Sequence, residues 1–108
     1  MQLPVGVVFR RFRTTGRCTW FGLWDLAADA PGPLGTVAIR WVDPGVVQLC
    51  ALTAPADAIG DRLLRELADA LRADGAERIV ATLDGRCELL RRAGYRAAPR
   101  CSEVELDL

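Results

Sequence analysis

The sequence predicts an α+β fold: a mixed, mainly antiparallel sheet with a long helix after its fourth strand and a short helix after its fifth. Three observations carry this prediction. Apolar, alternating runs separated by turn residues fill the first half of the chain, from Val5 to Thr53. A stretch with apolar residues at every third or fourth place follows, from Ile59 to Leu71. A further apolar strand, a shorter helical stretch closed by Gly94-Tyr95 and an alternating final run complete the order.

Val5 to Arg13 reads as the first strand, because Val5, Val7 and Phe9 alternate with Gly6, Val8 and Arg10. Thr14-Thr15-Gly16-Arg17 is a turn. Cys18 to Ala28 is the second strand, with Trp20, Trp24 and Leu26 on one face and Phe21 and Leu23 on the other. Large apolar groups on both faces predict a central or covered strand. Pro31-Gly32-Pro33 breaks it. Leu34 to Val42 is the third strand, with Val37, Ile39 and Trp41 sharing a face. Asp43-Pro44-Gly45 turns the chain into the fourth, Val46 to Thr53, so the four form an antiparallel meander.

In the long helix Ile59, Leu63, Leu67 and Leu71 recur every fourth residue. Leu64 and Ala68 widen the stripe, and Arg62, Arg65, Asp69 and Arg72 fall on the wet face. Thr53 or Asp57 is the expected cap at its start, and Gly75 the left-handed residue at its end. Ala76 to Leu83 is a strand, which a helical crossover makes parallel to the fourth and right-handed. Asp84 is expected to cap the short helix carrying Leu89 and Leu90, and Gly94 stops it. Tyr95 to Ala98 and Glu103 to Leu108 are the last strands, the latter with Val104, Leu106 and Leu108 facing in.

The length, 108 residues, fits a single domain spanning 1–108, and the 51% hydrophobic content is that of a globular chain. The 14 basic and 14 acidic residues give a net charge of +0, which argues against nucleic-acid and membrane-surface binding. Arg10, Arg11 and Arg13 split across the two faces of a strand and read as edge-strand solubility. Cys18, Cys50, Cys87 and Cys101 lack metal-ligand spacing, and with no His in the chain they read as reduced thiols. The bias towards Ala, Arg, Gly and Leu, without Lys or Asn, is that of a high-GC bacterial genome. No window approaches the ~20 apolar residues of a membrane span, and the start lacks the order of a secretion signal. The expected compartment is the cytoplasm.

The order from Leu49 to Tyr95 places a helix N-terminus at the mouth of the sheet, where a phosphate is well seated. Three local patterns give this order a resemblance. ADAIGDRLL (residues 56–64) is similar to the Q/R-x-x-G-x-G/A loop and following helix of the GNAT acyltransferases. ERIVATL stands in the place of that family's fifth strand. LLRRAGYRAAP looks like its helix-ending Gly-aromatic signature, and EVELDL suits its last strand. The chain thus resembles a short GNAT member in which the family's first two helices, between strands one and two, are missing.

The resemblance implies acetyl-coenzyme A as co-substrate and an amine acceptor, small molecule or peptide, that attacks the thioester directly. The residues it points to for the coenzyme are Ala51 and Leu52, near the backbone N–H that stabilises the oxyanion, and Ala56, Asp57, Ala58, Ile59 and Gly60 at the phosphate turn. It also exposes departures. Pro55 stands where the family has Gln or Arg, and Ala58 where it has Gly. Asp57 and Asp61 put negative charge beside a phosphate, leaving Arg62, Arg91 and Arg92 as candidate counter-charges. Leu90 occupies the place of the tyrosine that protonates the departing thiolate, and Tyr95 reads as core. A general base has to be a carboxylate or water; Asp25, Asp43 and Glu88 are the carboxylates considered. No catalytic side chain is assigned.

Without the two helices, Phe12, Trp20, Phe21 and Trp24 are expected to lack cover, which implies a homodimer or a partner protein completing the acceptor side. Two functional readings follow. One is an acyl-coenzyme A-dependent N-acyltransferase. The other is a degenerate, non-catalytic GNAT-like module for binding or assembly.

Overall fold

The computed structural model describes residues 6–28, 32–82, 87–97 and 103–108. Seven strands form one sheet: β1 (Val7–Thr15), β2 (Cys18–Asp25), β3 (Gly35–Asp43), β4 (Val46–Thr53), β5 (Arg78–Thr82), β6 (Arg96–Ala97) and β7 (Glu103–Asp107). Helix α1 (Asp57–Ala73) joins β4 to β5, and α2 (Cys87–Arg92) follows β5. The spatial order is β1-β2-β3-β4-β5-β7-β6. Among the described residues only β4 and β5 pair in parallel, and every other neighbouring pair is antiparallel. The α+β prediction stands as made.

The predicted leucine stripe forms the core. Ile59, Leu63, Leu64, Leu67 and Leu71 of α1 are buried with Val37, Ile39, Val47 and Ile79 of the sheet. Burying each such side chain contributes about 1.5–3 kcal/mol. Close approach of α1 to the sheet requires Gly35, where a Cβ would come within 2.6 Å of Ile59 Cγ2 and 2.9 Å of the Thr53 carbonyl oxygen. Both helices end alike. The Ala76 and Gly75 N–H groups return to the Leu71 and Arg72 carbonyls, and those of Tyr95 and Gly94 to Leu90 and Arg91. This is the Schellman closure, with Gly75 at φ +93° and Gly94 at φ +100°. It gives the Gly94-Tyr95 signature a physical reason: the glycine reverses the chain and the tyrosine packs back.

Several boundaries differ from expectation. β1 runs on to Thr15, and Thr14 and Thr15 pair with Thr19 and Cys18, so the turn is only Gly16-Arg17. β2 ends at Asp25, and Leu26 beyond it is exposed. The parallel crossover strand is confined to Arg78–Thr82. Val5, Pro31, Leu83, Asp84, Ala98 and Cys101 lie outside the described residues.

Among the described residues the sheet carries three bulges, where one strand has a residue more than its partner: Phe12 against β2, Val42 against β4 and Cys50 against β3. The bulge at Phe12 reverses the alternation, so Arg13 joins Arg10 on the face away from α1, while Arg11 opposes Phe21. Of the aromatics expected to lack cover, Phe21 is a correction: it is buried on the α1 side and stacks on Phe9, ring centres 5.3 Å apart. Trp20 and Trp24 occupy the other face. Trp24 meets Phe12 edge-on at 5.1 Å, and Trp20 Nε1 donates to Thr15 Oγ1. Among the described residues no helix is long and apolar enough to cross a membrane.

Candidate functional site

A parallel pair joined at one end only leaves an opening at the other. β4 pairs with β5 at Val46–Arg78, Val47–Ile79 and Gln48–Val80, and among the described residues the ladder stops there. β4 continues to Thr53 paired with β3. The bulge at Cys50 falls just past the point of divergence. The resulting cleft, about 430 Å³, is lined by Arg40, Gln48, Leu49, Cys50, Ala51, Leu52, Ala81, Thr82 and Leu90. Its size is that of a small-ligand pocket.

The chemistry of the lining is sparse. Among the described residues its ionisable side chains are Arg40 and Cys50; no carboxylate or tyrosine lines it. Arg40 Nη2 donates to Gln48 Oε1 at 2.6 Å. Burial first, then the Cys18 thiol beside it, pushes the Cys50 thiol above its usual value, against the opposing pull of Arg40. Cys50 therefore keeps its proton at neutral pH. Leu90 faces the cleft as an apolar wall that donates no proton. Tyr95 is buried, as the sequence implied, with its hydroxyl unpartnered among the described residues.

The turn after β4 supplies the second part. Ala56 is the N-cap of α1 and provides no side-chain hydrogen bond, so neither Thr53 nor Asp57 caps the helix. The first N–H groups of a helix have no intrahelical acceptor, and together they attract an anion. Asp57 and Asp61 stand beside this end, but Arg92 of α2 meets both: Nη2 lies 3.2 Å from Asp61 and 3.7 Å from Asp57. Their negative charge is thus offset locally.

The residues expected at the turn divide by role. Ala56 and Ala58 are half-buried and Asp57 is exposed. Ile59 belongs to the core. Gly60 is buried, and a Cβ there would meet Leu89 Cδ2 at 2.6 Å. Its smallness serves the packing of α2 on α1. Ala51 and Leu52 line the cleft, just after the bulge. The three carboxylates considered as bases lie away from the lining: Asp25 accepts the Ala27 N–H, Asp43 ends β3, and Glu88 pairs with Arg91. Arg62 pairs with Glu66.

Arg40, Gln48 and Cys50 were not singled out by sequence reasoning. The available signal was Arg40 itself, one charge inside the apolar run TVAIRWV of a central strand.

No family model matches the sequence, and no curated protein matches it. Solved structures do. An acetyltransferase from Bacillus subtilis in complex with CoA superposes with a TM-score of 0.74 at 14% identity, over 94% of this chain and 99% of that one. A GNAT family acetyltransferase from Elizabethkingia anophelis with acetyl-CoA bound gives 0.76 at 9% identity, over 97% and 100%. Tetrahymena GCN5 gives 0.62 at 13% identity, over 84% of this chain and 68% of its own. The first two matches run nearly the full length of both chains. Seven strands in this order, the β4–β5 divergence and these superpositions establish that the chain has the GNAT acetyltransferase fold.

Proposed function

We propose that the chain is an acyl-coenzyme A-dependent N-acyltransferase. The observation that carries this reading is the cleft between the diverging β4 and β5, adjoining a helix N-terminus with no side-chain cap. In this reading the coenzyme's acyl arm enters the cleft and its pyrophosphate lies on the turn from Ala56 to Gly60. The N–H groups at the start of α1 take the phosphate, and Arg92 offsets the two aspartates beside it.

The acceptor nitrogen attacks the thioester carbonyl, forming the C–N bond as the C–S bond breaks. A backbone N–H of β4 near Ala51 stabilises the carbonyl oxygen as it gains charge. The coenzyme leaves as a thiolate and takes up the proton shed by the acceptor through water. With no carboxylate among the described lining residues, the acceptor in this reading arrives unprotonated. The rate therefore rises about tenfold per pH unit up to the amine's own pKa.

Thermal unfolding with and without acetyl-coenzyme A tests this reading. Ligand at a hundred times its dissociation constant adds about 2.7 kcal/mol, which raises the midpoint of a chain this size by about 10 °C or more. The bare lining also favours a second reading, a GNAT-fold module that binds without catalysing. It predicts no response to millimolar acetyl-coenzyme A, and that result would sink the first reading.

A further inference from the structure

Among the described residues, Arg40 is the half-buried arginine without an acid. Six arginines pair with Asp or Glu within 4.0 Å, including half-buried Arg62. The other unpaired ones, Arg10, Arg11, Arg13, Arg17 and Arg65, are exposed and hydrated. Arg40 has neither water around it on all sides nor a carboxylate. Its Nε is buried without an acceptor, and Gln48 holds Nη2. A cation drawn partly out of water in this way is compensated only when an anion joins it.

Its place decides which anion. Arg40 opposes Gln48 across β3 and β4, and Gln48 lies five residues before Thr53, where β4 gives way to the turn into α1. At strand rise that is roughly 16 Å from the phosphate turn. Arg40 therefore serves the inner end of the cleft, beside Cys50, on the face away from α1. Trp20, paired with Ala38, forms part of the same face.

We propose that Arg40 recognises the acceptor, and that the acceptor is an amine carrying a carboxylate. This rests on the acyltransferase reading. The carboxylate pairs with the guanidinium, which Gln48 positions, and so sets the amine against the thioester. Free amino acids and acidic peptide N-termini share this chemistry.

The test has two stages. Calorimetry first measures acetyl-coenzyme A binding to the native chain and to Arg40→Gln. Acceptors are then compared in matched pairs: glycine, β-alanine and γ-aminobutyrate, each against its carboxamide, and a tripeptide beginning with Asp against one beginning with Asn. Each is titrated into coenzyme-saturated protein and assayed for transfer. The expected result is at least a tenfold preference for the carboxylate in one pair. Arg40→Gln should abolish that preference by raising the KM of the acid alone, with acetyl-coenzyme A affinity unchanged within twofold. Arg40→Lys should restore part of it. Preference within the amino-acid pairs or within the peptide pair tells the two sources apart.

Acetyl-coenzyme A binding without discrimination in any pair overturns the proposal and leaves the acyltransferase reading standing. Loss of coenzyme affinity in Arg40→Gln also overturns it, because Arg40 would then be a coenzyme contact. Failure of the native chain to bind acetyl-coenzyme A removes both.

Discussion

The two faces of the sheet are built on different rules. Under α1, Leu23, Val37, Ile39, Val47 and Ile79 have at most 1% of their surface exposed. The opposite face carries Trp20 and Trp24, the arginines Arg10, Arg13 and Arg40, and half-buried Cys18. One face is organised by removing apolar area from water; the other keeps aromatic edges and unpaired cations where a second molecule can meet them. Stability is concentrated on the first, and recognition is free to vary on the second.

Leu67→Ala tests the packed face most severely. Leu67 is fully buried in the middle of α1, and truncation should cost about 2–5 kcal/mol, lowering the thermal midpoint by at least ~8 °C. A loss below 1 kcal/mol would mean that the helix layer is loosely packed.

A pair of glycines sharpens the contrast. At Gly35, under α1, a new Cβ meets the Thr53 carbonyl oxygen, a backbone atom with nowhere to go. Gly35→Ala should cost about 1–3 kcal/mol. At Gly22, on the open side, the Cβ meets the Trp24 ring at 2.9 Å. That ring is a half-buried side chain and the Gly35 carbonyl oxygen comes no nearer than 3.2 Å, so Gly22→Ala should cost less. Urea titration of both variants decides it, and equal losses would break the contrast.

The smallest effect concerns Tyr95. Its hydroxyl is buried with no partner among the described residues, so Tyr95→Phe should be neutral or stabilising by up to about 1 kcal/mol at neutral pH. Burial pushes the phenol well above its usual value. The folded state therefore holds a proton that the unfolded state releases near ~10. The stability this contributes is present below that pH and is lost as pH rises above it, by about 1.4 kcal/mol per unit. Tyr95→Phe should remove that alkaline loss. Tyr95 is the one tyrosine in the chain, so phenolate absorbance follows it directly.

What the sequence discloses tracks this division. The leucine stripe of α1, the bounds of β4 and the two closing glycines follow from local pattern and appear where expected. The faces of β1 do not, because the bulge at Phe12 arises from a mismatch between two strands that no residue type announces. The open helix start was misread since Thr53 and Asp57 are good capping residues by type, yet the chain places Ala56 there. Gly60 is expected at the phosphate turn, and only the position of α2 shows that Leu89 fills the space beside it. Arg40 was overlooked because a charge in a strand gains meaning only from the absence of its partner.

The bulge at Cys50 bears on what the chain can lose. Leu49 and Leu52 share the α1 side, opposite Ile39 and Val37, while Ala51 and Thr53 oppose Ala38 and Thr36. Striking Cys50 out of the chain would leave Leu49, Ala51, Leu52 and Thr53 in strict alternation, each on the face it already occupies. The sheet is thus spelled correctly without this letter. Cys50 is the extra residue of the bulge, and the cleft is the part of the molecule that reads it.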